Sequence, residues 1–201
     1  MKKYPAEFWN EMYGTDEFRY GTNPNTFFKE QLDKLEIGNI LLPAEGEGRN
    51  AVYAASKGWN VVAFDISTEG KQKALRLSKE KNVSIGYEVT GVLDFSTDKK
   101  FDVIGLSYVH FPAEIRKSAN QGLLQFLKPG GIVIFEGFAK AQIEKDSGGP
   151  KDEAMLFSIE EIKEEFSSLS FQILKEESIE LSEGNHHKGK AEVIRFVGVK
   201  K

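Results

Sequence analysis

The chain has 201 residues, 27 basic and 31 acidic side chains, a net charge of −4, three histidines and no cysteine. That length suits one α/β domain over 1–201 that needs no metal or disulfide staples; the missing cysteines exclude disulfides, thiolate metal sites and a cysteine nucleophile. The acidic balance argues against a nucleic-acid binder, and the lack of an apolar signal segment or a run of about 20 apolar residues predicts a cytoplasmic chain without a membrane span.

Residues 1–24 are aromatic and irregular, with Phe8, Trp9, Met12, Tyr13, Phe18 and Tyr20 among Gly14, Gly21 and Pro24. Such a segment is too apolar for a disordered tail. With a first helix over about Asn25–Leu35, residues 1–35 read as an aromatic cap. A regular alternation follows. Ile40-Leu41-Leu42 is a strand, Gly48–Lys57 a helix closed by Gly58, and Asn60–Asp65 a strand with its acid at the C-terminal end. Ser67 reads as the N-cap of a helix running to about Lys81. Val83–Val89 and Phe101–Leu106 are further strands, and Ala113–Phe126 is a helix. Lys128-Pro129-Gly130-Gly131 predicts a turn before the strand Ile132–Glu136. Strands alternating with helices of this length imply βαβ units and a mostly parallel sheet. The last third differs: a capping box at Ser158 and Glu161 starts a short helix, and Phe171–Leu181 and Ala191–Val199 follow as a hairpin.

Three features coincide at 40–65. Gly46-Glu47-Gly48 joins a strand to a helix, where glycines let a ligand approach the backbone and the helix offers free amides. Asp65 ends the next strand, where a carboxylate can accept hydrogen bonds from both ribose hydroxyls of a nucleoside. Asp94 and Phe95 fit the same edge, either as partners of an adenine amino group and ring or, for Asp94, as the cap of a turn. Ser107 and Tyr108 follow the fourth strand and face the centre of the cleft.

Several blocks resemble the class I S-adenosylmethionine-dependent methyltransferases, specifically the small tellurite-resistance and thiopurine-methyltransferase-like group. They are Phe8-Trp9-Asn10-Glu11-Met12-Tyr13, Tyr20-Gly21-Thr22-Asn23-Pro24-Asn25, Gly46-Glu47-Gly48-Arg49-Asn50-Ala51, Ala63-Phe64-Asp65-Ile66-Ser67, Leu127-Lys128-Pro129-Gly130-Gly131, Gly148-Gly149-Pro150-Lys151 and Glu183-Gly184-Asn185-His186-His187-Lys188-Gly189, with Val193–Gly198 after them. They cover nearly the whole chain in the family's order. The resemblance implies a Rossmann-like fold with a seven-stranded, mostly parallel sheet, a C-terminal antiparallel hairpin and helices on both faces. It further implies S-adenosylmethionine as cofactor and a small-molecule acceptor, a chalcogen oxyanion or a thiol, in a monomer or homodimer. The cofactor set it implies is Tyr20, Glu45, Gly46, Gly48, Asn50, Asp65, Ile66, Asp94, Phe95 and Ser107.

One departure stands out. The family's first strand ends in an acid, with a glycine two positions later; those places hold Leu42 and Ala44. Glu45 supplies a carboxylate from a shifted position, facing the methionine ammonium or lying in an exposed loop. The departure keeps a second reading open, a regulatory module that binds S-adenosylmethionine or S-adenosylhomocysteine without turnover. His187 matches the family's hairpin block and is the candidate for acceptor binding or proton removal. Arg195, inside an apolar strand, reaches either an anionic acceptor or a structural carboxylate. Arg49, at a helix start, calls for an acidic partner or an oxyanion. No carboxylate spacing accompanies the histidines, so no metal is expected.

Overall fold

The computed structural model describes residues 6–201; Met1–Pro5, the start of the expected cap, lie outside the described residues. Seven strands, β1 (Asn39–Pro43), β2 (Asn60–Asp65), β3 (Gly86–Val89), β4 (Phe101–Ser107), β5 (Leu127–Phe138), β6 (Leu169–Glu183) and β7 (His187–Lys200), form one sheet in the order β3-β2-β1-β4-β5-β7-β6. The five strands β1–β5 are mutually parallel, and β7 enters antiparallel between β5 and β6. The expected seven-stranded sheet with its terminal hairpin is therefore present. The order reverses between β1 and β4, and a crevice at such a switch point lies beyond the C-terminal strand ends.

Successive strand residues face opposite sides, and both sides are apolar. Leu41, Ile104, Val133, Phe135 and Phe196 pack with Ala119 and Leu123 of α5 (Ala113–Leu123) and Ile162 of α6 (Ile159–Glu165). Ile40, Leu42, Val103, Ile134 and Val197 pack with α2 (Thr26–Leu32), α3 (Arg49–Ser56) and α4 (Thr68–Glu80). This double cover explains why the strand sequences read as continuous apolar runs.

Helix ends follow local chemistry. Ser67 caps α4 by accepting from Gly70 N–H, and Ser158 and Glu161 form the expected capping box of α6. Two expectations are corrected. The cap is not irregular, because Ala6–Tyr13 is a helix, α1; Trp9 and Tyr13, one turn apart, stack at 5.5 Å and Tyr13 is buried, which a helical spacing permits and a coil does not. The Lys128–Gly131 segment is not a turn between elements. It bulges out of β5: partners of β4 jump from Phe101↔Leu127 to Val103↔Ile132, with Gly130 at φ 75°.

Candidate active site

The glycine loop follows β1. Ala44 takes φ 49° and Gly46 φ 59°, so the backbone turns sharply where the family's glycine is absent. A Cβ on Gly46 would lie 2.7 Å from the Tyr13 hydroxyl, and one on Gly48 would lie 2.4 Å from Ala74 Cβ. The two glycines thus admit α1 and α4 to the loop. Glu45 turns towards α3: its Oε1 accepts the N–H groups of Asn50 and Ala51 at 2.8 Å each, so it anchors the helix N-terminus. Burial nevertheless pushes its carboxyl up to about 7, against those amide hydrogen bonds and Arg49.

Asp65 ends β2 and is buried. Its Oδ2 accepts Gly46 N–H at 3.0 Å and its Oδ1 accepts Ser67 N–H at 2.8 Å. A carboxylate has about four acceptor positions, so each oxygen keeps capacity for a further donor. Burial raises the group to about 6 despite the amides. Beside it, Ile66 and Val89, the latter paired with Asp65 across the sheet, are exposed apolar side chains. A buried carboxylate with spare acceptor capacity next to an apolar ledge fits a nucleoside, with hydroxyls to Asp65 and the base on the ledge. Asp94 is exposed in a turn closed by its N–H to Gly91 carbonyl. Phe95 is drawn inward: its ring stacks on Phe64 at 4.3 Å and meets Phe126 edge-on, so the ring is part of the core. Ser107 is half-buried at the end of β4.

α1 docks on the start of α4, where Asn10 Oδ1 accepts from Ser67 Oγ and Glu69 N–H. Side chains of the glycine loop then fasten the following strap. Glu47 accepts the N–H groups of Arg19 and Tyr20 and pairs with buried Lys73 at 2.6 Å; Arg49 donates to the Tyr20 carbonyl; Asn50 Oδ1 accepts Asn25 N–H. At Gly184 of the hairpin, a Cβ would lie 2.5 Å from Arg19 carbonyl oxygen. Strap, loop and hairpin meet there.

Behind the strap lies a polar network that sequence reasoning only partly found. Asn25, 1% exposed, donates to Glu136 at 2.6 Å and to Glu183 at 3.0 Å. Glu136 pairs with Arg195, its cross-strand partner, and Arg195 also reaches Glu177 at 2.7 Å. Of the two alternatives for Arg195, the structural carboxylate is the one realised. Arg49 pairs with Glu183 at 2.8 Å, the acidic partner its position called for. Glu183 Oε2 also faces His187 Nδ1 at 3.4 Å. Burial opposes ionisation of Glu183, but the His187 ring and the Arg49 guanidinium hold it down at about 2. Glu136 had a readable signal, an acid ending an apolar strand; Asn25 had none beyond its place at a helix start.

His187 is 4% exposed, and burial lowers its pKa, so the ring is neutral near pH 7. Ionised Glu183 accepts only, which puts the proton on Nδ1 and leaves Nε2 as acceptor. Rings surround it: Tyr20 at 4.4 Å, Tyr108 at 4.6 Å and Phe138 at 5.3 Å. Gly148 and Gly149 wall this cluster, since Cβ atoms there would come within 2.7 Å of His187 Cδ2 and 2.8 Å of Phe138 Cδ2. His186 is exposed, whereas His110 is half-buried, with Nδ1 on Met155 carbonyl and Nε2 accepting Phe138 N–H. Burial pushes His110 down to about 4, which keeps it a neutral structural linker. Among the described residues no group of three or more acidic or histidine side chains is arranged to hold a metal, and no helix is long and apolar enough to cross a membrane.

The strand order, the switch-point crevice and the glycine loop facing Asp65 define the fold of the class I methyltransferases. Residues 40–131 match the family described as methyltransferase domain. Among curated proteins it is similar to ubiquinone biosynthesis O-methyltransferases of Rickettsia akari, 29% identical over 108 residues (53% of this chain, 41% of that protein), and Rickettsia canadensis, 30% identical over 103 residues (51% and 42%). The chain thus spans about two fifths of the length of these relatives. Among solved structures, TehB from Haemophilus influenzae superimposes with a TM-score of 0.74 at 16% identity, covering 98% of this chain and 67% of that one. The N-methyltransferase NodS from Bradyrhizobium japonicum, solved with S-adenosyl-L-homocysteine, gives 0.69 at 16% identity with 97% of each chain covered.

Proposed function

We propose that this chain is an S-adenosylmethionine-dependent methyltransferase acting on a small acceptor. The observation that carries it is the Asp65 carboxylate, buried at the C-terminal end of β2, oriented by two backbone amides and still able to accept ribose hydroxyls. Asp65, Gly46, Gly48, Asn50 and Ile66 would hold the nucleoside half, with Glu45 and Asn50 shaping the loop and Tyr20, Asp94 and Ser107 bordering it. The bound cofactor supplies a methyl group on a sulfonium, activated by a neutral thioether leaving group. The protein's share is alignment and water exclusion, which together can supply up to about 7–11 kcal/mol of a barrier. The strap and α1 exclude water, and His187, oriented by Glu183, takes a proton from an acceptor that carries one. The acceptor expected from the tellurite-resistance resemblance, a chalcogen oxyanion or a thiol, is one class; the O-methyltransferase name of the relatives supports an oxygen nucleophile as another. The net charge of −4 supports a small molecule over nucleic acid.

The test is calorimetry with S-adenosylmethionine and NAD on the wild type and Asp65→Ala. We expect the wild type to bind S-adenosylmethionine and not NAD, with the variant weaker by about 1–3 kcal/mol, or about 5- to 150-fold. Unchanged affinity in the variant overturns the nucleoside assignment. Tight binding without S-adenosylhomocysteine release from any acceptor (tellurite, selenite, thiols, amines, phenols) would favour the non-catalytic module.

A further inference from the structure

Resting on the methyltransferase reading, we propose that Arg19 receives the cofactor's carboxylate: its guanidinium, carried on the strap, closes on the amino-acid tail of S-adenosylmethionine and ties strap closure to cofactor binding. Arg19 is half-buried, and its Nε is shut off from solvent with no hydrogen-bond partner. A buried N–H left unpaired costs stability, more so in a charged group, unless a ligand completes it. Among the described residues Arg19 is also the one arginine with no carboxylate within ion-pair distance. Arg49 pairs with Glu183, Arg76 with Glu80, Arg116 with Glu161 and Glu165, and Arg195 with Glu136 and Glu177. Glu47 gives one oxygen to the Arg19 backbone N–H and the other to Lys73, leaving the guanidinium to the Tyr20 hydroxyl.

Position and elimination both point to the cofactor tail. Arg19 lies within electrostatic reach of Tyr13, Tyr20 and His187. Tyr13 covers Gly46, its hydroxyl 2.7 Å from where a Cβ would stand, and Tyr20 covers the His187 ring at 4.4 Å. Arg19 therefore sits over the span between the ribose subsite at Asp65 and the hairpin, beside which the tail of a bound cofactor leaves the ribose. The glycine loop offers nothing in its place: Glu45, expected to face the tail, is engaged by the amides of Asn50 and Ala51, and Arg49 by Glu183. Tyr13 and Tyr20 fill this span in the closed strap, so the cofactor enters with the strap lifted. Side-chain hydrogen bonds rather than sheet pairing hold it down, from Glu47 to the Arg19 and Tyr20 amides, Lys73 to Glu17 carbonyl and Arg76 to Asp16 carbonyl. As the strap reseats, the planar fork of Arg19 meets a carboxylate with two parallel N–H donors, which a lysine lacks. The outer hollow of about 430 Å³ that Arg19 also borders is not the seat, because Glu11, Asp16 and Glu17 line it and disfavour a free anion.

The experiment is a cycle over protein and ligand, which isolates one contact. Calorimetry titrates S-adenosylhomocysteine and its carboxamide, in which a neutral amide replaces the carboxylate and all else is kept, into wild type, Arg19→Gln and Arg19→Lys. We expect the wild type to prefer the acid at least tenfold. Arg19→Gln should lose affinity for the acid at least tenfold, keep that for the amide within threefold, and so lose the preference; Arg19→Lys should fall between. Equal loss of both ligands in Arg19→Gln shows a merely structural role and overturns the proposal, as does an undiminished preference for the acid. If Arg19→Gln shows no thermal unfolding transition, Arg19→Lys decides: a preference less than threefold below the wild type overturns the proposal. Binding of both ligands by the wild type without preference overturns the role of Arg19 alone, whereas binding of neither overturns the methyltransferase reading itself.

Discussion

Glu183 and His187 face each other as cross-strand partners at the tip of the β6–β7 hairpin, carboxylate Oε2 3.4 Å from imidazole Nδ1. The hairpin register alone brings them together. A base oriented by a carboxylate follows the logic of activated nucleophile sites. His187→Ala should lower kcat for proton-bearing acceptors by about 10²–10⁴-fold and flatten its pH profile. Because burial already lowers the His187 pKa while Glu183 raises it, Glu183→Gln should reduce kcat and move the rising limb to lower pH. A limb that stays in place would show that His187 is not the titrating group.

Two buried acids set an unusual pH dependence of stability. Asp65 at about 6 and Glu45 at about 7 lie above their ordinary values of 3.8 and 4.5. An acid with a raised folded pKa contributes most below its unfolded pKa and loses that contribution as pH rises through the folded one. Glu183, lowered to about 2, does the reverse: its contribution is complete above about 4.5 and lost on acidification. Ligand-free protein should therefore be most stable near pH 4–5 and lose stability towards pH 7.5. Asp65→Asn should remove about 2–3 kcal/mol of that decline. Urea denaturation across the range measures it; a wild-type optimum above pH 7 would contradict it.

Gly184 tests the strap. A Cβ there would sit 2.5 Å from Arg19 carbonyl oxygen and 2.6 Å from Gly21 N, at φ 62°. Gly184→Ala should push the strap off the hairpin, costing about 1–3 kcal/mol and weakening acceptor turnover more than folding. Normal turnover in this variant would mean that closure of residues 17–25 is unnecessary.

Arg195 separates structure from chemistry. Glu136 is 1% exposed and Arg195 is its charged partner. Removing one member of a buried pair costs about 3–5 kcal/mol, so Arg195→Ala should lower Tm by several degrees while S-adenosylmethionine affinity of the folded fraction stays within twofold. A stable, inactive variant would restore the acceptor-binding alternative.

The parallel run of strands, the Ser67 cap, the capping box of α6, the glycine loop and Asp65 were legible in the sequence because their determinants are local: apolar spacing, cap chemistry and the residue at a strand's end. α1 was hidden because its helical face makes sense only against Gly46 and Gly70, which accept a close neighbour. The Lys128–Gly131 bulge keeps turn chemistry inside a strand, a matter of sheet register rather than composition. Phe95 went to the core because its neighbours Phe64 and Phe126, distant in sequence, stack on it there. What the tertiary structure alone decided is which charges meet. Arg195 finds Glu136 by strand register, and Arg49 finds Glu183 across 134 positions. Sequence order carries no record of such distances; burial, which makes an unpaired charge costly, comes only with the fold.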